Sequence, residues 1–490
     1  MADNRRWWAL VVIALAQLMV VLDMTIVNIA LPSAQVALHM SDGNRQWVIT
    51  SYTLAFGGLL LLGGRVADLA GRRMAFMTGL VGFAAASALG GAAVDQGMLF
   101  GARALQGVFA ALLAPAALSL LTTTFTDPKE RGKAFGIFGA IIGAGAAVGL
   151  LAGGFLTQYL DWRWCLYVNV PIALAALAGA WVLLPGGDRH PDARLDVPGA
   201  LLGSTGMLAL VYGFSEAESR SWTDGLVLAL LCGGLALLGL FGYWQTRAPV
   251  PLLPMTVVRD RQRIGAFLTV LLVTVGMFGV FLFLTYYMQR VLGYSPVKTG
   301  VAYLPITVGM VTGSTQVAAR LLHRVPPRVL MVPGLLVAAG ALVLIAQVGV
   351  EPAYASHILP GMLMLGLGMG TAMMTSVSLA TGNVAPRDSG AASATFNTAQ
   401  QVGGSIGTAL LNTIAASVTT RYATAHAASI PNRALLEAKA AVHGFNVATW
   451  WAMAALLLGA LVAGVVVNAD RVPTPQTAPE QAPQPVDSAT

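Results

Sequence analysis

The sequence predicts an all-α polytopic membrane protein with fourteen transmembrane helices. Three observations carry this reading. Of the 490 residues, 56% are hydrophobic and only 10% are charged, whereas a soluble domain carries about 25% charged residues. So little charge cannot cover a water-facing surface, and a bilayer must act as the solvent. Apolar runs long enough to cross a hydrocarbon core of about 30 Å recur along the whole chain. Charged residues fall mainly between those runs. Helices suit such runs because they satisfy their own backbone polar groups in lipid.

The first run, 8–31, follows Arg5 and Arg6 and contains Asp23. No small-residue cleavage site closes it, so it reads as a first span and not a cleaved signal. Runs 46–64 and 74–94 flank the charged segment GRVADLAGRR at 64–73. Run 98–121 carries Arg103, and runs 134–157 and 164–184 complete a first set of six. Two further runs lie at 197–214 and 226–244. The last six are 264–287, 299–318, 329–349, 357–380, 390–415 and 446–467. The tail after Asp470 is rich in Pro, Gln and Ala, a composition that predicts disorder.

Charge orients the chain. An even number of spans puts both termini on one side. The termini and the loops on their side hold 19 of the 28 Lys and Arg, the opposite loops hold 8, and Arg103 is the one within a span. Positive residues collect on the cytoplasmic side, so both termini are expected there. The net charge of +7 has the same explanation, and nucleic acid is not expected as a partner. Cys165 and Cys232 lie in apolar runs, and the six histidines show no metal-ligand spacing.

The chain reads as an internal duplication. An offset of 255 pairs Arg65 with Arg320 and Arg73 with Arg328. An offset of 259 pairs Gly107 with Gly366, and one of 258 pairs Gly145 with Gly403 and Gly149 with Gly407. The implied layout is a six-helix bundle over 1–184, a linker with two inserted helices over 185–255, a second six-helix bundle over 256–468, and a cytoplasmic tail over 469–490. Repeated halves with a site between them are typical of secondary transporters.

Asp23 and Arg103 are the only acidic and basic residues deep in a span. Charges there are costly and usually functional. Counting from the outer ends of their helices places each about 12 Å in, at one level. Burial opposes a charged carboxylate and a neighbouring guanidinium favours it. The pair therefore reads as a proton switch, or as a structural ion pair that fixes packing. On the fourth run, Gln106, Gly107 and Ala110 share a face with Arg103, and either line a wet cavity or pack on a neighbour. Asn28 is a further cavity candidate on the first run. Gly145, Gly149 and Gly153, and later Gly403 and Gly407, recur every four residues and predict close helix packing. The segment with Gly64, Arg65, Asp68, Gly71, Arg72 and Arg73 reads as a gating loop, with Asp68 as part of a charge latch.

No GxxxxGK[ST] loop is present, so no nucleotide is expected to drive transport. Gly366, Gly368 and Gly370 mimic a dinucleotide fingerprint, but they lie within an apolar run with no preceding strand. No Ser/His/Asp set or HExxH appears, and neither enzymatic activity nor a metal or other cofactor is expected.

These residues resemble the major facilitator superfamily, and more closely its fourteen-span drug/proton antiporters, the EmrB/QacA-like group. GRVADLAGRR at 64–73 is similar to the superfamily's cytoplasmic loop signature. LDMTIVNIALP from Leu22, RALQG from Arg103 and DWRWCLYVNVP from Asp161 resemble signatures of the fourteen-span group. The resemblance covers 8–467. It implies two six-helix bundles plus two inserted helices. It also implies proton-coupled efflux of a small lipophilic drug or antibiotic across a bacterial plasma membrane, with Arg103 in proton coupling. One departure is Leu150, where the fifth-span signature usually has proline. The alternatives are a metabolite exporter or solute importer on the same fold, and a lipid flippase or membrane scaffold.

Overall fold

The computed structural model describes residues 2–41, 44–125, 130, 134, 145, 148–184, 196–220, 222–249, 251–253, 255–322, 324–350, 354–381, 384 and 389–467. Among the described residues every regular element is helical. The first half contains α1 (Ala2–Ala37), α2 (Trp47–Ala70), α3 (Arg72–Gly91), α4 (Gln96–Thr124), α5 (148–159) and α6 (Trp164–Leu183). A hairpin of α7 (Val197–Ser219) and α8 (Gly225–Gln245) follows. The second half contains α9 (Arg261–Tyr286), α10 (Leu304–Thr312), α11 (Pro327–Ile345), α12 (Leu359–Thr381), α13 (Ser389–His426) and α14 (Arg433–Val466).

Acidic and amide side chains sit at the helix starts, where exposed N–H groups need acceptors. Asp95 accepts from Met98 N, Asp224 from Leu226 N, Asp260 from Arg263 N, and Asn432 from Leu435 N. Asp196 starts α7 and also accepts from Trp244 and Gln245 at 2.7 and 2.8 Å, which pins the α7–α8 hairpin at its base. Gly71 joins α2 to α3 with φ +92°, a conformation that side chains disfavour.

Ten helices among the described residues are long and apolar enough to cross a membrane. Four of the fourteen expected runs are outside that set. The second forms α2, 24 residues long. The ninth forms α9. The tenth is segmented into Pro296–Ala302, α10 and a π-helical turn at Gly313–Ala318. The fifth, 134–157, lies mostly outside the described residues, as do the loop residues Lys129, Arg131 and Lys133 and the tail 469–490.

Both halves use the same helix pairs, drawn together by glycine. A Cβ on Gly107 of α4 would overlap the Tyr52 carbonyl of α2, and one on Gly366 of α12 would overlap the Ile306 carbonyl on α10. Gly149 of α5 lies against Thr25 and Leu22 of α1, and Gly145 and Gly153 lie against the same helix. Gly403 and Gly407 of α13 lie against Leu271 and Val275 of α9. Gly368 packs on Gly334 of α11, so the Gly366, Gly368 and Gly370 triplet serves helix packing. α7 packs on both α2 and α13, one helix from each half, whereas α8 packs on α7.

Candidate functional site

The first half has two apolar clusters. One includes Ile13, Met19, Phe76, Phe83 and Leu113, and the other Ile26, Leu31, Leu99 and Trp162. Between them lies a buried polar network. Arg103 Nη1 donates to Asp23 Oδ2 at 2.5 Å. Its Nε donates to the Val48 carbonyl at 2.9 Å, and Nη1 also reaches Gln106 Oε1 at 2.9 Å. The other carboxylate oxygen, Oδ1, accepts from Gln106 Nε2 at 2.9 Å and from Asn169 Nδ2 at 2.8 Å. Gln106 Nε2 also donates to Ser87 Oγ at 2.7 Å. The guanidinium lies over the Tyr52 ring, 4.5 Å from its centroid.

Asp23, Ser87, Gln106 and Asn169 are 0% exposed and Arg103 is 2% exposed. A carboxylate or guanidinium is stable in such a place only when paired and hydrogen-bonded. Here each charge compensates the other, and amides fill the remaining oxygen positions. Beside the pair, between Val27, Leu31, Val48, Leu99 and Trp162, is a cavity of about 10 Å³, room for no more than one water. The arrangement can hold a charge pair away from solvent and can exchange it for a neutral carboxyl only by reorganising those hydrogen bonds.

The structure brings Asp23, Arg103 and Gln106 into direct contact. Gly107 faces α2, Ala110 is fully buried, and Asn28 is half-buried with its amide donating to Met24 O at 3.0 Å. In the loop segment, Gly64 lies against Pro115 and Gly71 forms the joint. Arg73 donates to the Trp181 carbonyl at the end of α6, at 2.6 Å, and Arg72 begins α3. The Asp68 side chain lies outside the described residues, and Arg65 is half-buried on α2. Ser87, Asn169 and Tyr52 were not among the residues expected from sequence, because a neutral polar group in an apolar run carries no clear signal.

A second set of contacts joins the two halves. Tyr286 of α9 donates to Gln35 Oε1 of α1 at 2.6 Å, with the Arg45 guanidinium 4.0 Å from the Tyr286 ring centroid. Gln289 donates to the Ile29 carbonyl at 3.2 Å. Asn412 of α13 donates to Gln46, and Ser405 meets Thr53 at 3.3 Å. Gln158 accepts from Val297 N at 3.2 Å. Gln35, Arg45, Gln46, Gln158 and Tyr286 lie at or near the helix ends that the charge bias assigns to the outside.

A family model described as Major Facilitator Superfamily matches residues 13–408. The puromycin resistance protein of Streptomyces alboniger is 56% identical over 471 residues, 95% of this chain and 92% of that protein. The cephamycin export protein of Amycolatopsis lactamdurans is 38% identical over 416 residues, covering 84% of this chain and 85% of that protein. Among solved structures, a bacterial homolog to the human lysosomal transporter Spinster, inward-facing and unoccupied, superposes with a TM-score of 0.67 at 15% identity, covering 94% of this chain and 97% of that one.

Proposed function

We propose, because the chain belongs to the Major Facilitator Superfamily, that it exports a small lipophilic antibiotic from a bacterial cell by alternating access. Family membership makes it a multi-pass membrane transporter and not an enzyme. The observation that carries the substrate class is the 56% identity to a puromycin resistance protein across nearly the whole of both chains. Puromycin is therefore the first compound to test.

Within that reading the chain is a fourteen-span transporter of the EmrB/QacA-like type. Its first bundle is 1–184, its inserted pair falls within 185–255, and its second bundle is 256–468. Helices at thirteen of the runs, and 148–159 within the other, support that count. The charge bias of 19 against 8 supports cytoplasmic termini, including the tail 469–490. Asp23 and Arg103 couple transport to protons, and their complete burial beside exchangeable amide donors supports that role. The segment 64–73, with Asp68 and Arg72, gates the cytoplasmic side. Asn28 faces the substrate path, and Gln106, Gly107 and Ala110, closed off in this state, line it only in another one; for Gly107 that requires α4 to part from α2.

The test is uptake of puromycin by everted membrane vesicles. Accumulation that requires an inward-acid gradient supports proton-coupled export. Transport in the opposite sense supports the importer alternative, and no transport with an intact gradient removes the antibiotic reading.

A further inference from the structure

α13 and α14 are 38 and 34 residues long, whereas about 20 residues cross a hydrocarbon core. Their excess length lies beyond the apolar zone. On α14 the uncharged stretch that ends at Val466 runs back through Val447, and His443 is the next titratable side chain. On α13 the first charged residue after Ser389 is Arg421. Where these two limits meet, Val418, Arg421, Tyr422, His443 and Val447 line a groove of about 410 Å³.

The groove faces away from the transport seam. Arg421 follows Asn412 by nine positions, two and a half turns, and so lies opposite the α13 face that meets the first half. His443 and Val447 continue along α14 into Trp450 and Trp451, which are 43% and 56% exposed. Exposed tryptophan marks the level where lipid headgroups meet the hydrocarbon core. Tyr422 stacks on His426 at 4.1 Å and lies 4.9 Å from the His443 ring. Among the described residues, the Arg421 and His443 side chains have no hydrogen-bond or ion-pair partner.

We propose that this groove holds one membrane phospholipid. Arg421 presents its N–H fork to the phosphate, and His443 offers an N–H in either charge state. The start of an acyl chain lies along Val418 and Val447 and continues over Trp450 and Trp451. The proposal rests on the membrane placement of α13 and α14 and is independent of which drug is carried.

The test is native mass spectrometry of the purified full chain in detergent micelles supplemented with phosphatidylglycerol or with diacylglycerol. The expected result is one phosphatidylglycerol retained above background, no retained diacylglycerol, and no displacement by millimolar inorganic phosphate. Arg421→Gln with His443→Gln should weaken retention about tenfold, and Arg421→Lys should keep part of it. Equal retention of diacylglycerol, displacement by inorganic phosphate, or full retention by the double variant would overturn the proposal. The two wild-type comparisons decide it even if the double variant fails to insert.

Discussion

Asn169 of α6 donates to the same Asp23 oxygen that receives Gln106, at 2.8 Å against 2.9 Å. The carboxylate is thus held by neutral donors on one oxygen and by a guanidinium on the other. Such a group keeps a fixed position whether or not the guanidinium engages it. That is what the proposed proton-coupling role would require of it in a dry interior.

Asp23→Asn removes titration and keeps shape. Arg103 loses its counter-ion but retains the Val48 carbonyl and the Gln106 oxygen as acceptors, so the variant should still insert and fold, with reduced stability. Gradient-driven accumulation in proteoliposomes should vanish, with substrate binding preserved. A wild-type coupling ratio in this variant would falsify the proton role.

Arg103→Ala should be far more damaging to stability. It leaves a buried carboxylate beside amides alone, and breaking a buried pair this way costs about 3–5 kcal/mol. Asp23→Asn combined with Arg103→Gln removes both charges and should cost less than Arg103→Ala. Unfolding in detergent, followed by circular dichroism, gives the comparison. If the double variant is the less stable one, the pair is not mutually compensating.

Tyr286→Phe with Gln35→Ala deletes one hydrogen bond between the halves. A net loss of about 1 kcal/mol shifts a two-state balance about fivefold. Cysteine placed at Asn28, in a Cys232→Ser background, should then react about fivefold faster with an impermeant thiol reagent added outside. Cys165 is buried and should not interfere. An unchanged labelling rate would mean that this contact does not hold the outer side closed.

Gly107→Ala should force α4 from α2, because its Cβ meets backbone and not a movable side chain. A destabilisation of about 1–3 kcal/mol is expected. Gly101→Ala, where nothing lies within 4 Å, is the matched control on the same helix. Equal melting temperatures for the two variants would show that the α2–α4 approach is not tight.

Asp23 and Arg103 were legible in the sequence because charge in an apolar run is rare and helix counting gives its depth. Their contact follows from two antiparallel helices at matching depth. Ser87 and Asn169 were not legible, since either residue in a membrane helix can satisfy itself on its own backbone. Thr53 and Ser405 were hidden for the same reason, and both do also bond to their own helix. Periodicity places glycines on one face of α5 and of α13 but does not name the helix opposite. The segmentation of the tenth run had no clear warning in its composition, although Pro305 sits at the start of α10.

The charge pair lies entirely within the first half, yet it grips α2 through the Val48 carbonyl and the Tyr52 ring. Val48 is two residues from Gln46 and five from Thr53, the side chains that bond across to Asn412 and Ser405. One short stretch of α2 is therefore both a ligand of the cation and a handle on the opposite half. On the proposed proton-coupling role, a proton that loosens Arg103 from Asp23 would free the guanidinium to tug or release that stretch. The signal would then cross as a movement of backbone, and no charge would need to leave the half in which it arises.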